Sequence, residues 1–295
     1  MPPAPSDELP HEPDGTGPFS ETWSFDFATA DGHLGGWVRY ARFADRAWYQ
    51  AMLAGPGRQL LAVLDHEVPF RSSPFEVRTT GLWADHVCEA PFDHWTLGLE
   101  AFALGVDDPL ELHGRQLGDR VALGLDLEWE ADGPVLDTAR GYEQHCRVHG
   151  EVLVGASVID LEAVGSRQHD WGPIEWWASD GWRLTGTVEG ERRWSVDHRS
   201  GLTVARIVDA DGSVREEPAS ATLDLDDHGL PVAAVVRVDG DELRSEVLAA
   251  TPVPLELGER RGRRPRALCR HRTGDGGVGV GWIEVRGPDV PLLGA

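Results

Sequence analysis

The sequence predicts an all-β protein built from two packed antiparallel β-barrels. Three features indicate this fold: frequent Asp-Gly pairs, apolar residues that alternate with a period of two, and almost no helical periodicity. Asp-Gly between alternating segments is the strongest short-range signal of a β-hairpin, because a tight type I′ turn needs positive φ at both central residues. The pairs begin at Asp14, Asp31, Asp132, Asp180, Asp211, Asp239 and Asp275.

Short alternating segments flank these turns and favour half-buried antiparallel strands. Every second residue is apolar in segments 23–27, 121–127 and 223–225. Many short strands separated by regular turns are typical of a sandwich or a barrel. The chain also has 12 tryptophans in 295 residues, and such large side chains fill wide barrels or line apolar cavities.

A turn-rich stretch at residues 131–141 divides the chain between the two expected barrels. The predicted organisation is a disordered leader over residues 1–18, a first barrel over 19–137 and a second barrel over 138–295. The leader is rich in proline, glycine and acids and offers little apolar surface to bury. A weak echo between Gly36-Trp37-Val38-Arg39 and Gly281-Trp282-Ile283-Glu284 is compatible with two related barrels.

The charge and the apolar pattern exclude several classes of partner. A net charge of −23 repels phosphates, so we expect no nucleic-acid partner. No apolar run reaches the roughly 18 residues of a membrane-spanning helix, and the N-terminus lacks the features of a secretory signal. The three cysteines are widely spaced and odd in number, which favours a reducing cytoplasm.

Segment 259–272 breaks the acidic pattern with seven arginines and one glutamate. It is either a patch for anions or nucleic acid, or a solvated hairpin whose arginines pair with acids elsewhere. We favour the hairpin, because the remaining chain is too negative to attract a polyanion. The common cofactor and catalytic motifs are missing: there is no GxGxxG opening a helix, no P-loop, no HExxH and no GxSxG. We expect no cofactor and no metal.

Two segments of the second half concentrate polar groups that can carry chemistry. In the predicted strand 141–150, Glu143 and His145 share one face with an arginine and a second histidine, which makes either a polar cavity wall or a solvated face. The two histidines would lie about 13 Å apart on a strand, too far to share a metal. In the first half, Trp95 ends an Asp-His-Trp sequence that is either a further cavity wall or an ordinary strand start; we favour the latter.

Segment 165–177 is the densest cluster of ionisable and aromatic residues. Asp170 and Glu175 lie among tryptophans, and an apolar environment raises the pKa of a carboxyl group, which suits proton donation. The alternative is a structural corner in which an arginine pairs with an acid and the tryptophans plug the barrel. The candidate residues of this segment are Arg167, His169, Asp170, Trp171, Glu175 and Trp176.

These motifs resemble the carotenoid 1,2-hydratase (hydroxyneurosporene synthase) and AttH-like superfamily, in particular its uncharacterised bacterial branch. The resemblance covers about residues 20–286 and rests mainly on the segments Gly141-Tyr142-Glu143-Gln144, Gly165-x-Arg167-x-His169-x-Trp171-Gly172-Pro173 and Gly279-x-Gly281-Trp282. It implies two lipocalin-like (calycin) barrels, a hydrophobic small-molecule substrate and chemistry that needs no cofactor. It places His169 and Trp171 on the His-x-Trp pair of the hydratases.

The chain departs from that superfamily at two places. Gln168 replaces the acid of the bacterial branch and Asp170 replaces its serine, so the acid moves to the opposite strand face. Some twenty-five residues downstream, where the hydratases have a tyrosine and an aspartate, this chain has Trp194, Asp197 and His198.

The leading functional hypothesis is a cofactor-independent enzyme that hydrates or cyclises an isoprenoid or polyene by acid initiation. Asp170 would donate the proton, with Glu175 in reserve; His169 would orient the donor or accept the proton, and Arg167 would set the charge state of a carboxylate. The tryptophans would shape the cavity and stabilise positive charge. The alternatives are a lipocalin-like carrier of an apolar ligand without catalysis, and a scaffold barrel filled by its own side chains. The predicted ligand-binding residues are Trp171, Trp176, Trp95, Glu143, His145 and Trp194.

Overall fold

The computed structural model describes residues 3–13, 15, 17–113, 118–173, 176, 181–188 and 192–286, with the side chain of residue 113 outside the description. Its described elements are strands and two short 3-10 helices, Pro5–Glu8 and Pro109–His113. Among these residues, no helix combines the length and the apolar character needed to cross a membrane.

Eleven antiparallel strands form the first sheet, and eight of them close into a barrel. The closed ring runs β4-β3-β2-β1-β11-β10-β8-β7 and is completed by pairing of β4 with β7, while β5 and β6 extend from β7 as a hairpin and β9 pairs with β10. The strands are β1 (Ser20–Thr29), β2 (Gly35–Arg42), β3 (Ala47–Ala54), β4 (Leu60–Val68), β5 (Glu76–Thr79), β6 (Leu82–Ala90), β7 (His94–Val106), β8 (Asp119–Ala131), β9 (Leu136–Thr138), β10 (Gly141–Val154) and β11 (Ser157–Gly172).

Nine antiparallel strands form the second sheet, in the order β15-β14-β13-β12-β22-β21-β18-β17-β16. The sheet curls around its own apolar cluster, in which side chains from β14 meet those from β17. A separate hairpin joins β18 to β21. These strands are β12 (Gly181–Val188), β13 (Arg192–Arg199), β14 (Leu202–Val208), β15 (Val214–Pro218), β16 (Ser220–Leu225), β17 (Pro231–Val238), β18 (Asp241–Thr251), the hairpin β19 (Pro254–Leu257) and β20 (Arg260–Arg263), β21 (Arg266–Thr273) and β22 (Val278–Arg286).

The all-β class and the antiparallel, barrel-like sheets confirm the predicted fold class. Four Asp-Gly pairs, beginning at Asp31, Asp211, Asp239 and Asp275, lie between paired strands as expected. The turn type differs from the prediction, because only the glycine of each pair has positive φ among the described residues. A type I turn followed by a glycine in the left-handed region gives this pattern and is common in slightly longer hairpin loops.

The two sheets divide the chain at a different place from the predicted boundary at residue 138. Strands β10 and β11 belong to the first barrel, since the whole of β1 pairs with residues 163–172 of β11, and the second sheet begins only at Gly181. The turn at Asp132-Gly133 links strands within the first sheet. Local composition could not reveal this, because closing the ring pairs strands more than 130 residues apart in sequence.

Part of the predicted disordered leader, residues 1–18, is ordered in the structure. Pro5–Glu8 form a turn of 3-10 helix, and the side chain of Glu8 is completely buried in the first barrel. The composition of this segment is poor in apolar residues, and its attachment instead depends on polar contacts.

An apolar layer joins the outer face of the first barrel to β21 and β22. Trp37, Met52 and Leu104 pack there against Leu268 and Trp282, and Trp282 Nε1 donates a hydrogen bond to Phe27 O at 3.0 Å. Both tryptophans of the sequence echo, one in β2 and one in β22, therefore lie in the layer between the sheets.

We expect the free energy of unfolding to fall as the pH drops from about 6.5 towards 4. Burial lowers the pKa of His86 to about 3 and those of His145 and His271 to about 4, so these side chains stay neutral in the folded protein. In the unfolded chain they bind protons below about 6.5, and stability falls wherever the unfolded state binds more protons. Urea unfolding at several pH values measures this slope.

His86→Phe provides the test of that assignment. His86 stacks on Tyr49 at a centroid distance of 5.6 Å, so a phenylalanine ring can take its place. The variant should lose up to about 1.4 kcal/mol per pH unit of the acid slope. His33→Phe, at an exposed position, is the control; equal slopes for the two variants would contradict the prediction.

Candidate functional site

Strand β11 carries the candidate residues on two opposite faces, because side chains alternate along an extended strand. Arg167, His169 and Trp171 face the mouth of the first barrel. Gln168 and Asp170 face the second sheet and line a cavity between the two sheets. The acid of this segment is thus on the opposite face from His169, as the alternation predicted.

A polar cavity of about 60 Å³ lies between the sheets, and we call it the interface cavity. Five arginines converge on it, whereas the carboxylates that reach it are those of Asp170 and Glu284. A concave site with this excess of guanidinium groups is suited to an anion. The lining residues are Thr22, Ser24, Arg39, Arg140, Gln168, Asp170, Trp176, Arg199, Arg264, Glu284 and Arg286.

Glu284 on β22 holds the arginines of this cavity in place. It pairs with Arg39 of the first barrel through a short contact, with Arg286 Nε at 3.4 Å and with Arg266 Nε at 3.8 Å. Burial alone would raise the pKa of Glu284, but the guanidinium groups of Arg39, Arg266 and Arg286 outweigh it and hold the pKa well below its usual value. Glu284 therefore stays ionised and is no proton donor near neutral pH.

Trp176 forms the apolar side of the interface cavity. Its ring lies 4.4 Å from the Arg264 guanidinium carbon, and Arg264 Nη2 donates to its carbonyl oxygen at 3.1 Å. Burial lowers the pKa of Arg264 to about 9. The tryptophan packs into a small apolar cluster with Trp48 and Leu255, so its position at the cavity is fixed by the fold.

Asp170 is the half-buried carboxylate of the cavity. Its Oδ2 accepts a hydrogen bond from Gln168 Nε2 at 2.6 Å, two residues away on the same strand face. The Gln168 amide therefore orients the carboxylate at the wall of the cavity. Gln168, one of the two departures from the superfamily pattern in this segment, is thus the residue that holds the Asp170 carboxylate.

Glu143 and His145 are buried where the first barrel meets the second sheet, so the solvated-face alternative is wrong for both, and neither of them lines the interface cavity. Glu143 accepts a hydrogen bond from Arg183 of the second sheet at 2.6 Å, and His145 Nε2 lies 3.0 Å from Ser195 Oγ. Further along β10, Arg147 points outward with a side-chain exposure of 66%.

Arg167 pairs with Glu8 rather than with a carboxylate of its own segment. Its Nη1 and Nη2 each donate to the Glu8 carboxylate at 2.8 Å, and Nη2 also donates to Gln144 Oε1 at 2.6 Å. Burial would raise the pKa of Glu8, but the Arg167 guanidinium outweighs it and lowers the pKa. Trp95 lies in the core of the first barrel and donates to Glu8 Oε2 at 3.1 Å.

His169 does not contact Asp170, so the predicted orienting role is corrected by the geometry. Its Nδ1 donates to Asp7 O at 2.6 Å, and its Nε2 lies 3.0 Å from Glu21 Oε1. Its ring stacks on Trp23 at a centroid distance of 4.3 Å, and Trp171 stacks on His11 at 4.2 Å. Both aromatic members of the predicted pair therefore face the N-terminal segment instead of the interface cavity.

Trp194 belongs neither to the interface cavity nor to the cluster at the mouth of the first barrel. Trp194 is fully buried in the apolar core of the second sheet, where it packs with Leu184 and Val196. Glu175 lies outside the described residues.

Two groups of described side chains have the composition of a metal site: His11, Glu21 and His169, and Glu128, Glu130 and His149. In the first, Glu21 Oε1 lies 2.7 Å from His11 Nδ1 and 3.0 Å from His169 Nε2, which are hydrogen-bond distances. Arg42 also lies 3.3 Å from Glu21 Oε2 and balances its charge. The second group is half-exposed and paired with Arg147.

An apolar groove of about 480 Å³ opens on the first barrel between the β5–β6 turn and strands β7, β8 and β10. Trp83, Phe102 and Leu153 line it and are exposed by 37%, 59% and 39% respectively. The sequence analysis did not identify this groove, because its residues are far apart in the chain.

No sequence motif marked Arg39, Glu284, Arg264 or Glu8 as functional residues. The echo between segments 36–39 and 281–284 contained a usable signal, since Arg39 and Glu284 occupy its matching last positions and pair across the interface. The arginine-rich segment contained another: Arg266 pairs with Asp26 at 2.9 Å, as expected for arginines that meet acids elsewhere.

Several solved structures have a fold similar to that of this chain. An AttH-like protein of Nitrosomonas europaea matches with a TM-score of 0.67 and 14% identity, over 96% of both chains. Kievitone hydratase of Nectria haematococca matches with a TM-score of 0.61 and 12% identity, over 94% of this chain and 91% of its own. CghA matches with a TM-score of 0.54 and 11% identity, over 93% and 90%.

These similarities show that the chain shares its fold with the AttH-like protein and with kievitone hydratase, as the resemblance of the sequence motifs predicted. A search of curated proteins finds no match. The chain belongs to the family described as a domain of unknown function (DUF7064), which matches residues 4–289.

Glu284→Gln should destabilise the protein by about 3–5 kcal/mol, because removing one partner of a buried ion pair leaves the other charge uncompensated. Here the guanidinium groups of Arg39, Arg266 and Arg286 would lose their shared counter-ion. Urea unfolding measures the loss. The control is Glu216→Gln, which breaks the exposed pair with Arg206 and should have only a small effect; equal losses would contradict the assigned role of Glu284.

Proposed function

We propose that the protein is a hydratase- or cyclase-type enzyme that acts at the interface cavity on a small unsaturated molecule bearing an anionic oxygen. The observation that carries this proposal is the position of Asp170, a half-buried carboxylate, in a cavity on which five guanidinium groups converge. The similarity in fold to kievitone hydratase and CghA supports the reaction class.

The excess of positive charge in the cavity favours a substrate with an anionic head group. A bare hydrocarbon gains nothing from buried guanidinium groups and would leave them desolvated, which is costly. A carboxylate, phenolate or enolate oxygen instead accepts charge-assisted hydrogen bonds from them. The cavity has room for such a head group with water, while an isoprenoid or polyene tail would lie against Trp176 and continue outward.

The same charge favours a reaction in which negative charge develops on oxygen. A carbocation next to several guanidinium groups is destabilised, whereas an enolate is stabilised, as in an oxyanion hole. This favours addition to an alkene conjugated to a carbonyl group over the protonation of an isolated alkene.

Hydration then adds one water across the conjugated alkene in two proton transfers. Asp170 takes a proton from water as the water oxygen bonds to the β-carbon, and the alkene electrons shift onto the carbonyl oxygen, where arginine holds the enolate. Asp170 then returns the proton to the α-carbon and the carbonyl re-forms, so one water has been added. In cyclisation, a hydroxyl group of the substrate replaces the water.

The apolar groove supports a second function, the carriage of an apolar ligand without chemistry. A concave, mostly apolar site of about 480 Å³ with three exposed large side chains is of the size and character of a ligand site. A carrier would bind lipids at Trp83 and Phe102 and would be indifferent to changes at Asp170.

Asp170→Asn should lower turnover by about 10²–10⁴-fold without weakening the binding of the anionic substrate, because the amide keeps the shape, cannot take the proton and removes a negative charge from the cavity. The assay incubates the protein in D₂O with a panel of polyunsaturated enoic acids and prenylated enones. Mass spectrometry detects either the addition of one solvent molecule, here D₂O, or a cyclised isomer of the substrate, in both cases with one deuterium at the α-carbon.

Asp160→Asn is the matched control, since Asp160 is exposed on the same strand, β11. It should keep full activity. Undiminished turnover in Asp170→Asn would refute the proposed role of this residue. A wild-type protein that converts none of the panel but binds apolar lipids, with loss of binding in Trp83→Ala, would replace the enzyme proposal with the carrier.

A further inference from the structure

The mouth of the first barrel contains a complete carboxylate-binding site, and the chain's own Glu8 occupies it. Arg167 donates one hydrogen bond to each oxygen of the Glu8 carboxylate, both at 2.8 Å, and the backbone N–H of Phe92 donates to Oε1 at 2.6 Å. Trp95 Nε1 donates to Oε2 at 3.1 Å, and the Tyr142 hydroxyl donates to the same oxygen through a short hydrogen bond. A bidentate guanidinium with three further donors recognises a carboxylate by charge and geometry.

These donors are held in place independently of Glu8. Gln144 accepts from Arg167 Nε at 3.1 Å, and its own amide is fixed by the carbonyl oxygens of Phe92 and Gly133 at 2.9 and 3.1 Å. Arg167 also packs over the Tyr142 ring at 5.3 Å. The site is therefore built by strands β10 and β11 and the turn before β7, and it is preorganised for whichever carboxylate enters.

The segment that supplies Glu8 is attached in the manner of a ligand. Among residues 3–13, Glu8 is the single buried residue, and Leu9, the large apolar side chain next to it, is 52% exposed. No apolar anchor therefore holds this segment. Apart from Glu8, it is held by polar contacts such as His169 Nδ1 to Asp7 O at 2.6 Å and His11 Nδ1 to Glu21 Oε1 at 2.7 Å.

The segment covers an aromatic surface that a different ligand could use. Trp23, His169 and Trp171 form a line of neighbouring rings, and the His11 imidazole stacks on the last of them at 4.2 Å. A planar or unsaturated group that followed the path of residues 7–11 would stack on the same rings.

We propose that the mouth of the first barrel is a binding site for small organic carboxylates with an aromatic or unsaturated body, and that residues 3–13 are an intramolecular ligand that competes for it through Glu8. This site is separate from the interface cavity and does not depend on the function proposed there. An external carboxylate takes the place of Glu8 on Arg167, and its body replaces the segment along the aromatic rings.

The first experiment measures hydrogen exchange of residues 3–13 in the wild-type protein with sodium cinnamate, sodium acetate or sodium chloride at equal ionic strength. Displacement of the segment should make its amides exchange faster with cinnamate than with chloride, and acetate, which lacks an aromatic body, should act more weakly. Equal exchange in all three salts would overturn the proposal that the segment is displaceable.

The second experiment uses Glu8→Ala, with Glu12→Ala as the control, because Glu12 is exposed in the same segment. Glu8→Ala leaves Arg167 without its carboxylate and should lower Tm, and cinnamate should restore Tm progressively with the logarithm of its concentration. The Tm values of Glu12→Ala and the wild type should respond less. A Glu8→Ala protein that responds to cinnamate no more than the wild type would overturn the carboxylate site.

Carboxylate binding at the interface cavity is separated by comparing variants. Binding there would raise the Tm of the wild type and of Glu8→Ala equally, so only the difference between them reports on the barrel mouth. Adding Tyr142→Phe to Glu8→Ala removes one donor to the ligand and should weaken the cinnamate response about 10-fold, whereas adding Asp170→Asn should leave it unchanged. The reverse pattern would assign the response to the interface cavity. If Glu8→Ala does not fold, the exchange measurement on the wild type decides the proposal.

Discussion

The buried ion network around Glu284 is the interaction on which the arrangement of the two sheets depends. A guanidinium group from the first barrel, Arg39, and two from the second sheet, Arg266 and Arg286, share this one carboxylate away from solvent. Charges buried in this way are tolerated only when each has a partner in good geometry. The network therefore ties the relative position of the sheets to a few polar contacts, while the apolar layer around Trp282 supplies most of the buried surface.

The interface cavity follows from that constraint. Glu284 cannot neutralise all the arginines that reach the space between the sheets, and the excess of positive charge is left facing a small concavity with Asp170 at its wall. A site that has to hold its cations together for stability is at the same time ready to bind an anion and to stabilise developing negative charge. The structural and the proposed catalytic roles are thus served by the same side chains.

Strand β11 connects this cavity with the mouth of the first barrel, since its alternate residues face the two sites. Asp170 and its hydrogen-bond partner Gln168 belong to the interface cavity, and Arg167 and His169 belong to the mouth of the first barrel. This one extended strand therefore contributes side chains to both sites. It also explains why a single short segment contains nearly all the candidate residues.

Alternation and Asp-Gly turns determined the all-β class, the approximate strands and the opposite faces of Asp170 and His169, because these depend on local backbone geometry. The tertiary structure alone decided which strands close the first barrel, which acids meet which arginines, and that the polar N-terminal segment is ordered through Glu8. Those features arise from contacts between residues far apart in the chain, such as the 159 positions between Glu8 and Arg167 and the 245 between Arg39 and Glu284. Local composition contains no record of such distances, since a pairing partner is selected by the closed fold and not by its neighbours in sequence.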